Sequence, residues 1–117
     1  MKRFIIEFGL GMDFHGQDVN KAAQKAVKDA VSRSCLCGLH EILELDLNRD
    51  VFINVTVAVS RPDEVDASAV AACLPIGRVT VKAVSGGMNV PGLYLTQFGD
   101  RDDSIEAAMA VIEVGIK

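Results

Sequence analysis

The stretch Gly9-Leu10-Gly11-Met12-Asp13-Phe14-His15-Gly16 sets one carboxylate and one imidazole two residues apart among glycines. In a locally extended chain Asp13 and His15 project to the same side and Phe14 turns away. That spacing suits a carboxylate–imidazole hydrogen bond, which would fix the tautomer and hold His15 as a general base. Asp18 follows as the N-cap of a helix, whose unpaired N–H groups attract an anionic ligand group. The stretch is not a dinucleotide fingerprint, because Phe14 stands where the third glycine or alanine is required. No Gly-Lys-Ser/Thr follows, so it is not a phosphate-binding P-loop either. The plainer reading is a tight turn permitted by Gly9, Gly11 and Gly16, with Asp13 and His15 satisfying its backbone.

Ser85-Gly86-Gly87 interrupts a strand pattern further along, and its backbone could hold a carbonyl or oxyanion. The expected site is therefore His15 as base and Asp13 as its orienting partner. Gly9, Gly11, Gly16, Ser85, Gly86 and Gly87 would line the ligand. Cys35-x-Cys37-x-x-His40-Glu41 places three potential zinc ligands within six residues, unusual spacing for a structural site. Packing at a helix end explains it better, and Cys73 among apolar neighbours reads as a core thiol. Three cysteines cannot all pair within one chain. Asp13 and His15 could instead hold a divalent metal completed by Glu41, Glu64 or Asp66. Only two ligands lie close in sequence, so no metal is expected and no cofactor is specified. Asp100, Asp102 and Asp103 read as a solvated acidic loop.

The elements that must position these residues follow from periodicity. Residues 3–9 alternate as a strand, with Phe4, Ile6 and Phe8 on one face and Arg3, Ile5 and Glu7 on the other. A glycine-punctuated loop over 9–17 should follow. Val19, Ala22, Ala23, Ala26, Val27, Ala30 and Val31 then mark a helix over 18–33. Leu39, Ile42, Leu43 and Leu47 suggest a short second helix. Val51, Ile53, Val55, Val57 and Val59 define a strand over 51–59. A short helix over 64–73 and a strand over 78–84 come next, with a brief strand at Leu93-Tyr94-Leu95. The tail predicts a helical turn at 105–109 running into a final strand.

The chain has 117 residues, a length for one α+β domain spanning residues 1–117 and no second. Helices on one face of a mixed or antiparallel sheet give a two-layer sandwich. Twelve Lys and Arg against sixteen Asp and Glu give a net charge of −4. That balance argues against a backbone-neutralising nucleic-acid binder. No apolar stretch approaches the roughly 18 residues of a spanning helix, and no signal peptide is visible. A cytoplasmic protein with no membrane partner is therefore expected. Large side chains are scarce and the second sheet face is half polar, so a homo-oligomer with sites near subunit contacts is expected. Three functions remain open: a hydrolase, isomerase or lyase acting on a small polar or anionic metabolite, a non-catalytic metabolite- or metal-binding module, or a structural oligomer.

The Gly-x-Gly-x-Asp-x-His-Gly motif, followed by Gln17-Asp18-Val19 and an Ala-rich helix, resembles an uncharacterised bacterial family of conserved hypothetical proteins, the "Lin" family. The resemblance extends to Arg61-Pro62-Asp63-Glu64-Val65-Asp66, the Gly86-Gly87-Met88 turn and the Val111-Ile112-Glu113-Val114-Gly115 tail. It implies that the Gly9–Gly16 segment is the family's defining site, and it implies no activity. A fainter resemblance links Ser85-Gly86 to single repeats of the cyanuric acid hydrolase and barbiturase amidases. There, Ser-Gly turns hold the carbonyls of a cyclic imide. The Ser–Lys pairing of those enzymes finds no supporting motif here, although Lys82 lies near Ser85.

Overall fold

The computed structural model describes residues 1–117. Its sheet is built from β1 (Lys2–Asp13), β2 (Val51–Val59), β3 (Arg78–Ser85), the two-residue β4 (Val90–Pro91) and β5 (Ser104–Ile116). Three helices accompany it: α1 (Val19–Val31), α2 (Gly38–Glu41) and α3 (Ala67–Ala71). The strand order is β1-β5-β2-β3, with β4 attached to β5. β5 lies antiparallel to β1 and β2, while β2 and β3 are parallel. The parallel pair needs a crossover, which the 3-10 turn Pro62–Glu64 and α3 supply. The result is an α+β fold with a mixed, open sheet.

The apolar alternation of β2 places Val51, Ile53, Val55, Val57 and Val59 in the core. Beside them lie Ala108, Ala110, Ile112 and Val114 of β5. α1 covers this face with Val19, Ala22, Ala23, Ala26, Val27 and Ala30. Asp18 caps it, accepting from the backbone N–H groups of Asn20 and Lys21.

Several elements depart from the periodicity. β1 does not end at residue 9 but runs on to Asp13. Its helix-facing residues are Ile5, Glu7, Gly9, Gly11 and Asp13, whereas Phe4, Ile6, Phe8, Leu10 and Met12 face the uncovered side. Gly9 and Gly11 explain both departures. A Cβ at Gly9 would lie 2.0 Å from the Ala26 carbonyl oxygen, and one at Gly11 would lie 2.2 Å from the Ala26 nitrogen. The two glycines form a trough in the strand into which α1 sinks.

The tail contains no helical turn, because Ser104–Ile116 is one continuous strand. Pairing along both β1 and β2 satisfies the backbone of residues that locally read as helix. The second helix shrinks to the single turn α2, burying Leu39 and leaving Ile42 exposed. The 64–73 segment splits into the 3-10 turn and α3, with Val70 as its buried residue and Ala72 exposed. Leu93-Tyr94-Leu95 is not a strand, and the short pairing falls instead on Val90–Pro91.

The open face is uneven. Phe4, Ile6, Phe8, Leu10, Met12 and Met109 make the β1–β5 half apolar. Asn54, Thr80 and Lys82 make the β2–β3 half polar, with the Thr80 hydroxyl donating to Asn54.

Candidate functional site

His15 lies just beyond β1, where the chain leaves the sheet to enter α1. Gly16 has φ +93° and Gln17 has φ 53°, so the connection is bent through the left-handed region at two successive residues. Asp13 and His15 do not pair with each other. The Asp13 carboxylate is buried and accepts the Asp18 N–H at 2.9 Å, tying the strand end to the helix start. His15 turns to a different carboxylate, that of Asp100, with its Nδ1 2.7 Å from Asp100 Oδ2. The local Asp13–His15 pair expected from spacing is thus replaced by a pair 85 residues apart.

Asp100 is not part of a solvated acidic loop. Its side chain is 0% exposed, and it accepts from four groups. Oδ2 takes His15 Nδ1 and the Leu95 N–H, while Oδ1 takes the Gly16 N–H and Gln17 Nε2. Burial alone would raise its pKa. The donors from Leu95, His15, Gly16 and Gln17 outweigh it and hold the carboxyl far below the ordinary range. An ionised carboxylate only accepts, so His15 Nδ1 donates, which leaves Nε2 as the acceptor of the neutral ring. The His15 side chain remains 31% exposed, and its ring packs on Phe98 with centroids 5.0 Å apart. A buried carboxylate orienting an imidazole whose far nitrogen faces outward is an arrangement suited to accepting a proton.

Gln17 ties this pair to its surroundings. Buried at 4% exposure, it donates through Nε2 to Asp100 Oδ1 and to the Asp102 and Ser104 carbonyls. Its Oε1 accepts the Arg101 N–H, and its own carbonyl receives the Arg61 and Arg101 guanidiniums. Glu106 is a further buried carboxylate, held by the N–H and hydroxyl of Ser60 and lying across from Asp13 in the β1–β5 register. Nothing local in the sequence marks Asp100, Gln17 or Glu106, because their side-chain partners, the Leu95 N–H on Asp100 apart, lie 46 to 87 residues away.

The remaining sequence candidates fall elsewhere. Gly9 and Gly11 lie beneath α1, while Gly16 stays in the site and donates to Asp100. Ser85 ends β3; the Gly86 N–H is spent on the Val59 carbonyl and the Met88 N–H on that of Ala107. Gly87 borders an apolar hollow of about 410 Å³ on the open face with Leu10, Met12 and Met109. Cys35 and Cys37 are exposed and Cys73 is half-buried. Glu64 pairs with Arg61, and Asp66 caps α3. No three His, Cys, Asp or Glu side chains are grouped to hold a metal ion. No helix is long and apolar enough to cross a membrane.

Residues 3–114 match the family described as conserved hypothetical protein, Lin0512_fam. The chain belongs to this family. The match takes in β1, the connection carrying His15, and Asp100. The crystal structure of an FtsZ-like protein of unknown function from Nostoc punctiforme is similar at 40% identity and a TM-score of 0.89. The alignment covers 99% of this chain and 96% of that one. No curated protein matches. The family is uncharacterised, so the site's chemistry has to be argued from its geometry.

Proposed function

We propose that this protein is a small-molecule enzyme of the hydrolase, isomerase or lyase class, working on a polar or anionic metabolite with His15 Nε2 as proton acceptor. One observation carries the reading: the Asp100–His15 pair, with a buried, ionised carboxylate on Nδ1 and a partly exposed ring. Asp100 takes the orienting role that spacing suggested for Asp13, and Asp13 serves the connection itself. The exposed Phe14, Tyr94 and Phe98 and the apolar half of the open sheet face support a homo-oligomer with the site near a subunit contact.

The second reading is a tie without chemistry. It is favoured by the saturation of Asp100, which joins the Gly16–Gln17 bend to the 95–100 segment.

His15→Asn separates the two. Its amide can still donate to Asp100, but it lacks the basic nitrogen. The protein is incubated with a panel of small carboxylates, cyclic amides and hydroxy acids and followed by proton NMR. We expect at least one compound to be converted by the wild type, with conversion falling at least 100-fold in His15→Asn at unchanged folding. General-base contributions of roughly 10²–10⁴ set that threshold. A conversion that persists in His15→Asn removes His15 as the base. A panel left unaltered by the wild type favours the tie.

A further inference from the structure

Beyond Gln17 from the histidine lies a hollow of about 350 Å³ whose lining contains no hydrophobic residue. Arg61 and Arg101 enter it from separate segments of the chain, joined by Ser60, Asn89, Asp102 and Ser104. His15 does not line it. We infer that this hollow is a seat for a small oxyanion, a phosphate or carboxylate group held between the Arg61 and Arg101 guanidiniums.

The argument begins with charge. Both guanidiniums are aimed at one neutral acceptor, the Gln17 carbonyl, with Arg101 Nη2 at 3.5 Å and Arg61 Nη2 closer. Two cations sharing one uncharged oxygen repel each other without neutralising either. Arg61 has a partial counterion in Glu64, at 3.2 Å. Arg101 takes part in none of the chain's ion pairs. Asp102 feels both arginines, but its Oδ1 is spent on the N–H and hydroxyl of Ser104. The residues that line the hollow thus set two guanidiniums against one carboxylate, Asp102, while Glu64 pairs with Arg61 from outside the lining.

Donor accounting points the same way. A guanidinium carries five N–H donors in a planar fork matched to two oxygens of one anion. Arg61 spends donors on Glu64 and Gln17, and Arg101 makes only the long contact to Gln17. Most of the fork of Arg101 is left for a ligand.

The backbone supplies a separate observation. Gln17 is one of two non-glycine residues at positive φ, and its left-handed turn is what delivers its carbonyl to the arginines. Such a conformation costs of order 1 kcal/mol or more and persists only where surroundings enforce it. Here it turns one carbonyl oxygen toward both guanidiniums and so holds the two cations side by side. Asp102 at the rim accepts rather than donates, and so suits an oxyanion that carries a hydroxyl, such as hydrogen phosphate.

The test is a titration of the full-length protein at fixed ionic strength, exchanging chloride for inorganic phosphate or for malonate. It is followed by amide and arginine Nε signals in nitrogen–proton NMR spectra. We expect saturable shifts at Gln17, Arg61 and Arg101 with at least one of the two anions. Which anion binds more tightly tells a phosphate from a carboxylate ligand. Arg101→Gln should weaken that affinity at least tenfold while leaving the rest of the spectrum in place. Asn89→Ala, at a lining residue outside the hydrogen bonds of Gln17, should weaken it about threefold. His15→Asn should leave it unchanged, so the seat can stand or fall independently of the proton acceptor. The inference is overturned if neither anion gives saturable shifts, or if Arg101→Gln binds as tightly as the wild type.

Discussion

The pairing of His15 with Asp100 shows why one half of the site could be read along the chain and the other half could not. The imidazole, the carboxylate of Asp13 and the glycines around them are neighbours in sequence, and their chemistry is visible from residue types alone. Whether neighbours meet depends on the partners the fold brings up, and His15 meets Asp100 on a loop 85 residues downstream. Asp100 looked like one member of an acidic run because nothing local distinguishes it from Asp102 or Asp103. Its burial and four donors come from tertiary structure. These donors have a measurable consequence. The folded-state pKa of Asp100 lies below its unfolded value near 4, so folding favours the ionised form. The stability this adds is complete above about pH 5 and is lost as pH falls from about 4 toward the folded-state value. Asp100→Asn should lower Tm at neutral pH, since its amide turns donors toward the donors of His15 or Leu95. The Tm difference between wild type and variant should narrow steadily below about pH 4. A difference that stays constant across thermal scans from neutral to acidic pH would show that Asp100 is not ionised in the folded protein.

At the level of elements, β2 was legible to the residue and β1 was not, and the contrast has one cause. Val51–Val59 sets Val or Ile at every other position against Phe52, Asn54, Thr56 and Ala58, so the core face is the most apolar one. In β1 the most apolar face, Phe4 to Met12, is the uncovered one, and the core face carries glycine. The rule that the apolar face is buried fails there because close approach of α1 requires absence of side chains, which hydropathy cannot register. α1 also finishes the outer edge of β1. Asp29 accepts the Leu10 N–H at 2.9 Å and Lys25 donates to the Met12 carbonyl at 2.9 Å. The Leu10 N–H and the Arg33 guanidinium hold the Asp29 carboxyl below its ordinary pKa. Side chains of a helix thus occupy groups that an incoming strand would otherwise pair with. Gly11→Ala tests the trough directly. Its Cβ would meet the backbone of α1 at Ala26 and Ala22, at 2.2 and 2.3 Å, and backbone cannot rotate away. Overpacking of this kind costs roughly 1–3 kcal/mol, or about 5–15 °C in Tm for a domain this small. Gly99→Ala is the control, since its Cβ would meet nothing within 4 Å and only its φ of 81° is strained. Gly11→Ala should fall clearly further in a thermal scan, and equal losses would show that α1 rides higher on β1 than described.

The whole molecule is thin for its length. Its radius of gyration is 15.6 Å, against about 13 Å for a compact domain of this many residues. Its principal extents are 51 × 23 × 19 Å, the dimensions of one sheet and one helix layer. Helices cover one side of that sheet and nothing in the chain covers the other. Strand spacing of about 4.8 Å and a rise of about 3.3 Å per residue give the four main strands roughly 700 Å² of open face. That is close to the roughly 800 Å² per partner found in stable protein–protein interfaces. The face is apolar toward β1 and β5 and polar toward β2 and β3, and the capped β1 edge disfavours edge-to-edge pairing. A second copy laid face to face over the whole open face would bury Phe8, Leu10, Met12 and Met109 in one step. We expect sedimentation to report a species of twice the chain mass or more at micromolar concentration. Leu10→Lys, at a side chain 55% exposed, should leave the isolated fold intact while placing a charge in the contact. The variant should sediment as a monomer, and its Tm should lose the rise with protein concentration expected of the wild type. A wild type that stays monomeric at high micromolar concentration would end this reading, whereas an oligomer that Leu10→Lys leaves intact would move the contact to the exposed Met88, Leu93 and Tyr94 of the 86–103 segment.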